Sequence, residues 1–414
     1  MESISLTSLA DEKLAEARQA HSGRAAHTLH GGHAHELRQT LMALLAGHEL
    51  SEHDSPGQAS LQVLKGHVHL TAGEDMWDGK TGDYVVIPPQ RHSLQAVDDS
   101  VILLTVFKAF PRRNHMLSTP WSLRMGLRAP IVNAPMGGVA GGRLAAAVTA
   151  AGGLGMVGMG TAGSTSSLHA ELPHVHGTFG IGLVDWVIRK EPALFDAALA
   201  AQPVLVSVSF GTDLSWVHRV HDAGIAAATK VYNSVEAQLA QEAGIDLLVA
   251  RGSEGGGHGD ATIGTLPLLD AVLDVVSVPV LAAGASGAWL GTVLSASPEA
   301  LTSDASRRAL VAARETDTAS TRVFDIVRGL PWSKRFPSRV LRNDFVARWS
   351  GHEDALADNS DAQGELAAAI AADDRRTAPV DAGQGVAMVT GVAPVGQVIE
   401  RLCAGAEKLL AGCG

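Results

Sequence analysis

The sequence predicts a multi-domain protein in which an all-β barrel is followed by an α/β domain of the (β/α)8 type. The first prediction rests on short apolar runs between residues 37 and 108, which turn residues separate at close spacing. The second rests on apolar runs that alternate with alanine-rich stretches from about Arg128 onward. Continuous apolar strands between helices indicate a parallel sheet that is covered on both faces. Close to eight such units favour a closed barrel over an open sheet.

The composition is that of a globular protein with a sizeable core, because 46% of the 414 residues are hydrophobic and 18% are charged. A formal net charge of −11 gives no indication of nucleic-acid binding. The two cysteines, Cys403 and Cys413, exclude a disulfide framework and favour a reducing compartment. The first 19 residues lack a basic segment followed by an apolar core, so we expect a cytoplasmic protein without a signal peptide.

One segment has the length and the lack of charge of a membrane-spanning helix, since residues 144–163 carry no charged side chain. Its first half is rich in alanine and its second half in glycine. This division predicts a buried helix followed by a buried strand, and we expect no membrane partner.

The predicted domain boundaries follow from these patterns. Residues 1–110 form the β-barrel domain, in which apolar runs at 41–47, 59–73, 83–89 and 101–107 predict strands. Residues 111–120, where proline and basic residues cluster, form the linker. Residues 121–414 form the (β/α)8 domain, which ends in a helical extension.

The N-terminal domain resembles a small cupin. The resemblance lies in "EHDSPGQASLQVLKGHVHL" and "WDGKTGDYVVIPPQRHS". Cupins bind a metal ion with histidines and a carboxylate that project into a small barrel. The resemblance implies that His53 and His92 are ligands of a divalent transition metal, and His33 and His35 could add imidazoles.

The cupin pattern is incomplete, because Gln58 stands near the position of the carboxylate. A barrel without metal, retained for folding, for homodimer formation or for sensing a small molecule, therefore stays open as the alternative. His67 and His69 alternate on one strand face, which is also typical of surface residues.

The C-terminal domain resembles the nitronate monooxygenases, which are FMN enzymes on a TIM barrel. Three blocks carry the resemblance in the right order: "APIVNAPMGGVAGGRLAAAVTAAGGLGMVG", "KVYNSVEAQLAQEAGIDLLVARGSEGGGHGD" and "SRVLRNDFVARW". A single glycine-rich loop would be a weak signal, whereas three ordered blocks on a strand–helix pattern are a strong one.

The stretch "RGSEGGGHGD", residues 251–260, follows the predicted strand "IDLLVA". Reactive groups of TIM barrels lie at the carboxyl ends of the strands. The resemblance implies that the glycines keep side chains away from a flat flavin ring and that His258 is the catalytic residue. A histidine can accept a proton from an acidic carbon or hydrogen-bond an anionic nitronate. A histidine that only holds the loop is the alternative.

The same resemblance implies an FMN site built at the ends of several strands. Lys230 would stabilise the anionic reduced flavin. Asn133 would contact the ring or cap a turn, and Glu254 could be a helix N-terminal residue without chemistry. The residues expected to bind FMN are Ala134, Pro135, Met136, Lys230, Arg251, Gly256, Gly284, Gly291 and Thr292.

The sequence departs from the family around the seventh strand. TIM-barrel phosphate sites use the loops after strands seven and eight and a helix N-terminus. Here "SVPVLAAGASGAWLGTVL" holds both strand candidates, with Ala285 where a second glycine is expected. We therefore expect a barrel shortened around strand and helix seven, either with an incompletely closed wall or with one long merged strand, and weak FMN binding.

The function implied by the resemblance is the oxidation of alkyl nitronates or nitroalkanes by O2 at FMN, giving a carbonyl compound and nitrite. Two alternatives stay open. One is an NAD(P)H-dependent flavin enzyme similar to enoyl-acyl-carrier-protein reductases, and the other is a cupin sensor that carries a decayed, non-catalytic barrel.

Overall fold

The computed structural model describes residues 4–30, 37–53, 58–73, 75–88, 90–107, 117–282 and 286–411, without the side chains of His53, Gln58 and Phe107. The chain divides into two compact units, Met1–His115 and Met116–Gly414. Residues 111–116 of the predicted linker lie outside the described residues. The end of that linker is part of the second unit, because Thr119 caps a helix that starts at Pro120.

The first unit begins with one helix and continues as an all-β structure. Its elements are α1 (Leu6–Gln19), β1 (Arg24–His30), β2 (Leu37–Leu44), β3 (Glu49–His53), β4 (Gln58–Lys65), β5 (His67–Ala72), β6 (Asp75–Lys80), β7 (Tyr84–Ile87), β8 (His92–Ala96) and β9 (Ser100–Phe107). The strands pair antiparallel in two sheets, with the orders β1-β2-β9-β4-β7 and β3-β8-β5-β6.

The core of this unit lies between the two sheets. Alternation along β5 directs Val68, Leu70 and Ala72 inward, where they are buried, while the residues between them are not. Apolar side chains of both sheets form one cluster there. Helix α1 packs Leu9 and Leu14 into a second cluster with residues of β2 and β9. The all-β prediction for residues 1–110 did not include this helix.

The second unit alternates strands and helices over most of its length. The strands are β10 (Ile131–Asn133), β11 (Gly155–Met159), β12 (Phe179–Val184), β13 (Leu205–Ser209), β14 (Ala226–Val231), β15 (Leu247–Ala250), β16 (Gly257–His258), β17 (Val280–Leu281), β18 (Ala288–Leu290), β19 (Thr318–Thr321) and β20 (Ser338–Leu341). The helices are α2 (Pro120–Arg124), α3 (Gly142–Ala150), α4 (Thr165–Glu171), α5 (Asp185–Lys190), α6 (Pro192–Ala200), α7 (Trp216–Asp222), α8 (Ser234–Glu242), α9 (Thr265–Leu273), α10 (Thr292–Ser295), α11 (Asp304–Ala312), α12 (Val323–Val327), α13 (Asp344–Trp349), α14 (Ser360–Ala371) and α15 (Val395–Ala411).

Eight of these strands form a parallel barrel. Six of them pair in the order β11-β12-β13-β14-β15-β17, and β10 pairs with β18. Parallel bridges Val132↔Leu154 and Leu281↔Gly287 join the two sets. Strands β16, β19 and β20 form a separate antiparallel sheet. Strands β11 to β15 are almost entirely buried, as strands covered on both faces should be.

Backbone hydrogen bonds lie between the end of the seventh barrel strand and the residues just before the eighth. The backbone N–H of Ala282 donates to the carbonyl of Gly287 at 3.0 Å, and that of Ser286 donates to Val280 at 2.9 Å. The prediction of one merged strand is therefore wrong, because β17 and β18 are separate strands in different sheets. An incompletely closed wall stays a prediction. Residues 283–285, including Gly284 and Ala285, lie outside the described residues, so the shortening of the barrel stays a prediction.

The uncharged segment at residues 144–163 forms most of α3 and then β11, as its alanine and glycine halves predicted. Val148 and Val157 within it are fully buried. No helix among the described residues has the length and apolarity that crossing a membrane requires.

Candidate functional site

The glycine-rich loop after β15 wraps around the guanidinium group of Arg251. This group donates to the carbonyl oxygens of Gly255 at 2.7 Å, Gly257 at 2.8 Å and Asp260 at 3.2 Å. Burial lowers the pKa of Arg251, but the three carbonyls still satisfy its donors. The residue expected beside a flavin thus holds the shape of the loop.

The loop glycines are needed mainly for close packing within the protein. A Cβ at Gly255 would lie 2.8 Å from Nε of Arg251, and one at Gly256 would lie 2.7 Å from the backbone nitrogen of Gly383. A Cβ at Gly252 or Gly259 would overlap neighbouring protein atoms. Protein atoms fill the space that a side chain would need at these four positions. A flat ring beside this loop stays a prediction.

His258 is held in place by a carboxylate and an aromatic ring. It lies in β16, opposite Ser338 of β20. Its Nε2 lies 3.0 Å from both carboxylate oxygens of Asp325. The ring of Trp332 stacks on the imidazole with 3.7 Å between centroids and 9° between planes.

Asp325 determines which nitrogen of His258 can exchange a proton. Its side chain is only 6% exposed, and that of His258 is 17% exposed. A carboxylate accepts hydrogen bonds, so the proton of a neutral His258 lies on Nε2. The nitrogen that can accept a further proton is then Nδ1, and the imidazolium that results is paired with a buried negative charge.

Aromatic side chains surround this pair. Trp332 meets Trp186 and Phe210 edge to face, with centroid distances of 5.7 and 4.9 Å. Phe336 meets Phe210 at 5.4 Å and Tyr232 at 5.4 Å. We call Trp186, Phe210, Tyr232, Trp332 and Phe336 the aromatic cluster. Phe210 has a φ of 75°, and such left-handed backbone in a non-glycine residue is concentrated at functional sites.

Lys230 lies at the carboxyl end of β14 with its Nζ 4.6 Å from the centre of the Phe210 ring. Burial, and then the positive charge of Arg251, lower the pKa of Lys230 to about 7. Within the described part of the chain, no carboxylate pairs with it. The site therefore contains a cation whose protonation responds to an anionic ligand near neutral pH.

Three donors of the aromatic cluster are buried without a hydrogen-bond partner among the described residues. They are Nε1 of Trp186, Nε1 of Trp332 and the hydroxyl of Tyr232. Buried polar groups are nearly always hydrogen-bonded in native proteins, so orphaned donors call for an explanation. A polar ligand beside His258 would supply their acceptors.

A second group of expected residues meets where the first and eighth strands end. A Cβ at Gly291 would lie 3.3 Å from Sδ of Met136 and 3.6 Å from Cβ of Ala134. Pro135 packs against Gly158 and Gly182 of the neighbouring strands. The backbone N–H of Gly383 donates to Oγ1 of Thr292 at 3.0 Å. Gly383 also packs against Gly256, so this group lies next to the glycine-rich loop. Gly284 lies outside the described residues.

Two polar residues near strand ends have structural partners. The side chain of Asn133 exchanges hydrogen bonds with the backbone of Met156, at 2.8 and 2.7 Å, and so joins β10 to β11. Glu254 accepts from the backbone N–H of Thr265 at 2.9 Å and thereby caps α9. The side chain of Asn133 therefore links two strands, and its contact with a flavin ring stays a prediction. Glu254 lies at the N-terminus of a helix, which is the alternative that the sequence left open for it.

Sequence reasoning missed Asp325, Trp332 and Phe210. Asp325 stands inside the apolar run "RVFDIV", and a lone acid in such a run is a signal for a buried carboxylate. Trp332 follows a Leu-Pro pair in an irregular segment, where nothing in the spacing indicates its contact with His258. The left-handed backbone of Phe210 has no sequence signal at all.

The predicted metal ligands of the first unit are only partly described. His53 and His92 are register partners in β3 and β8. His92 is buried on the inner face, and its Nδ1 lies 3.0 Å from the carbonyl of Gln90. The side chain of His53, and residues His33 and His35, lie outside the described part, so a metal at His53 and His92 stays a prediction.

Comparisons with known proteins agree with this architecture. A family model described as "Nitronate monooxygenase" matches residues 194–405, just over half of the chain. Nitronate monooxygenase from Pseudomonas aeruginosa is 28% identical over 326 residues, a match that covers 56% of this chain and 93% of that protein.

Solved structures extend the comparison to most of the second unit. The nitroalkane oxidase of Streptomyces ansochromogenes is 28% identical, with a TM-score of 0.59, and the match covers 71% of this chain and 100% of the other. FabK from Thermotoga maritima has a TM-score of 0.63, and at 23% identity over 72% of this chain and 99% of its own it shows the fold alone. The match to the family model, on a barrel with a histidine-bearing loop after its sixth strand, shows that this chain belongs to the nitronate monooxygenase family.

Proposed function

We propose that this protein oxidises alkyl nitronates, or the parent nitroalkanes, with O2 and an FMN cofactor, giving a carbonyl compound and nitrite. The observation that carries the proposal is His258, which lies after the sixth barrel strand with Nε2 fixed by a buried carboxylate and its ring face covered by Trp332. This arrangement leaves Nδ1 to exchange protons with a substrate carbon or to bind an anion.

Two features of the described residues support a flavin ring at this site. Lys230 supplies a cation that no carboxylate neutralises in the described part of the chain, and its pKa near 7 allows it to be charged when an anion is bound. The orphaned donors of the aromatic cluster supply hydrogen bonds for polar atoms of a ligand. Of the residues expected at the phosphate, Gly291 and Thr292 are described and Gly284 is not.

Bound flavin would accept the electrons of the anionic substrate carbon and pass them to O2. With a neutral nitroalkane, Nδ1 of His258 takes the carbon-bound proton, and the carboxylate of Asp325 stabilises the imidazolium that forms. With a nitronate no proton needs to be removed, so the same nitrogen, once protonated, donates to the nitro oxygen. These two roles explain why one residue serves both substrate forms.

The aromatic cluster excludes water from this step. Trp332 is 6% exposed and Tyr232 is 4% exposed. Arg335 joins the segment that carries Trp332 and Phe336 to the rest of the site, because its Nε donates to Asp260 at 2.9 Å and it also pairs with Glu236. A dry environment strengthens the attraction between a nitronate anion and the positive charges of Lys230 and His258.

The colour of the purified protein and its reduction test this proposal against the two alternatives. Protein supplied with FMN that bleaches anaerobically with a nitronate, without NAD(P)H, and that consumes O2 while releasing nitrite supports it. Bleaching that occurs only with NAD(P)H would support a nicotinamide-dependent flavin enzyme instead. A colourless protein that takes up no FMN would support a sensor with a non-catalytic barrel.

A further inference from the structure

The outer face of the four-stranded sheet carries a compact group of metal-binding side chains. His67 and His69 are two residues apart in β5, so both project from the face opposite to the buried Val68 and Leu70. Asp78 lies directly across from His69 on the paired strand β6. Two imidazoles and one carboxylate therefore meet on one surface of two adjacent strands.

The donor atoms of these three side chains converge. Nε2 of His69 lies 2.8 Å from Oδ1 of Asp78, and Nε2 of His67 contacts the same oxygen. The two imidazole rings are 5.2 Å apart and nearly perpendicular. One donor atom from each residue lies within 4.8 Å of the others. Donors bound to one ion at about 2.0–2.2 Å are necessarily within about 4.4 Å of each other, so small side-chain rotations suffice.

From this geometry we propose that His67, His69 and Asp78 form a binding site for a divalent first-row transition metal, with Zn²⁺ as the probe ion. Two imidazole nitrogens and one carboxylate oxygen suit zinc, copper or nickel, whereas magnesium and calcium take oxygen ligands. Three protein ligands leave at least one coordination position open to water or a small ligand.

The site differs from the one that the cupin resemblance implies. His92 is buried on the inner face of its sheet, together with Leu94 and Ala96. His67 and His69 lie on the outer face and are 21% and 33% exposed. A metal at the outer site would join β6, an edge strand of the sheet, to β5, and would stabilise that edge in proportion to occupancy.

A simple ion-pair cluster is the competing explanation, and the second unit provides a matched control for it. Nε2 of His221 lies 2.9 Å from Oδ2 of Asp246 in an exposed pair. This pair has one histidine and one carboxylate but lacks the second imidazole. If exposed histidine–carboxylate pairs alone retained zinc, both places would bind it.

The test is zinc binding to the metal-stripped full-length protein, measured by equilibrium dialysis and calorimetry at pH 7.5. We expect His67→Ala, His69→Ala and Asp78→Asn each to weaken one binding event at least about tenfold, since even outer-shell changes cost 10- to 100-fold. The double variant H67A/H69A should bind one equivalent less than the wild type. His221→Ala should leave binding unchanged.

Two further measurements keep the result specific. Zinc should raise the unfolding temperature of the wild type and of H221A, but not that of H67A/H69A. The electron paramagnetic resonance spectrum of one added equivalent of Cu²⁺ should show coupling to two imidazole nitrogens in the wild type, and the spectrum of H67A/H69A should differ from it. Equal zinc stoichiometry in the wild type and in a correctly folded H67A/H69A variant would overturn the proposal, as would loss of the same equivalent in H221A.

Discussion

His258 and Asp325 are 67 positions apart in the chain, yet their contact defines the chemistry available at the end of the sixth strand. The histidine comes from the glycine-rich loop and the aspartate from α12. A histidine with one nitrogen on a buried carboxylate can accept a proton only at the other nitrogen. At the scale of single residues, the predictions therefore concern this pair and the neighbouring lysine.

Replacing His258 should remove the proton acceptor and leave the flavin bound. We expect His258→Ala to lose about 10²–10⁴-fold in turnover of a neutral nitroalkane, the usual contribution of a general base. His258→Gln is the matched control for folding, because its amide can still donate to Asp325. It should lose turnover to the same extent. Near-normal turnover by either variant, measured as nitrite release, would exclude the role of base.

Replacing Asp325 separates positioning from chemistry. Asp325→Asn retains an acceptor for Nε2 of His258 but removes the charge that stabilises the imidazolium. We expect at least a tenfold fall in kcat with a neutral nitroalkane, little change in KM, and a much smaller effect with a preformed nitronate, which needs no deprotonation. Equal losses with both substrate forms would show that Asp325 acts only on the structure of the site.

Lys230 gives a prediction about pH and stability. Its folded-state pKa, about 7, lies below its ordinary value of 10.5. Between these values the unfolded chain binds the proton and the folded protein does not, so the contribution of Lys230 to stability rises with pH. Below pH 7 the folded protein carries the full penalty. Lys230→Met should therefore stabilise flavin-free protein at pH 6 but not above pH 10.5.

Denaturant unfolding of the flavin-free wild type and K230M at both pH values measures this effect. A gain in stability that is the same at pH 6 and at pH 11 would mean that methionine improves packing, and that the charge of Lys230 costs nothing. The same variant should bind anionic ligands more weakly at pH 6, where the wild-type ammonium group is charged.

Whether a site residue could be predicted from the sequence depends on whether its contacts are local in the chain or tertiary. The motif contains His258 itself, and its strand-end position predicted its place in the barrel. Asp325, Trp332 and Phe210 reach it only through tertiary contacts, which no local spacing encodes. Arg251 was expected beside a flavin, but its bonds to loop carbonyls depend on the path of a glycine-rich backbone that sequence does not specify.

At the scale of elements, the glycine-rich loop packs its backbone against another backbone segment, and this packing restricts which residues the loop can contain. Its chain passes so close to residues 382–384 that the backbone N–H of Gln384 donates to the carbonyl of Glu254 at 2.9 Å. Only glycine fits at position 256, where a Cβ would meet the backbone of Gly383. The sequence pattern predicted a special loop here, and the structure adds that glycine at position 256 allows the close approach of two backbone segments.

Adding one methyl group should test this packing. Gly256→Ala places Cβ 2.7 Å from a backbone nitrogen that cannot move independently, so we expect a destabilisation of about 1–3 kcal/mol. Gly364 is the control, because it is an exposed residue of α14 with no atom within 4 Å of a built Cβ. Gly364→Ala should gain about 0.5–1 kcal/mol from helix propensity. Equal free energies of unfolding for both variants would contradict the close contact.

Regular elements were the easiest to predict from sequence. The alanine-rich and glycine-rich halves of residues 144–163 form most of α3 and β11. Strand β11 is buried throughout, and one face of α3 is buried. The last two barrel strands were harder to predict, since β17 has two residues and β18 has three. The hydrogen bonds between them are made by residues of the short connection, such as Ala282 and Ser286. A segment of this length is too short to show a hydrophobic period.

At the scale of the whole molecule, the protein consists of two units with separate cores, one all-β and one a parallel barrel. The predicted change at about residue 120 follows from the change in hydrophobic period, which alternates every second residue in one unit and runs continuously in the strands of the other. Only the second unit falls within the family match. We expect the short connection between the last two barrel strands to determine how tightly that unit binds FMN.

Six residues, 282–287, connect β17 to β18, a span in which TIM barrels ordinarily place a helix whose N-terminus meets the phosphate. We expect the loss of two or three phosphate hydrogen bonds, each worth about 1.5–3 kcal/mol, to weaken FMN binding by several orders of magnitude. Inserting a helical segment between Gly284 and Ala285 should restore tight binding. An insertion of equal length made of glycine and serine is the control, since it lengthens the loop without aligning N–H groups. Titration of flavin-free protein with FMN measures all three, and a submicromolar Kd for the unmodified chain would show that Gly291, Thr292 and the short connection already form a complete phosphate site.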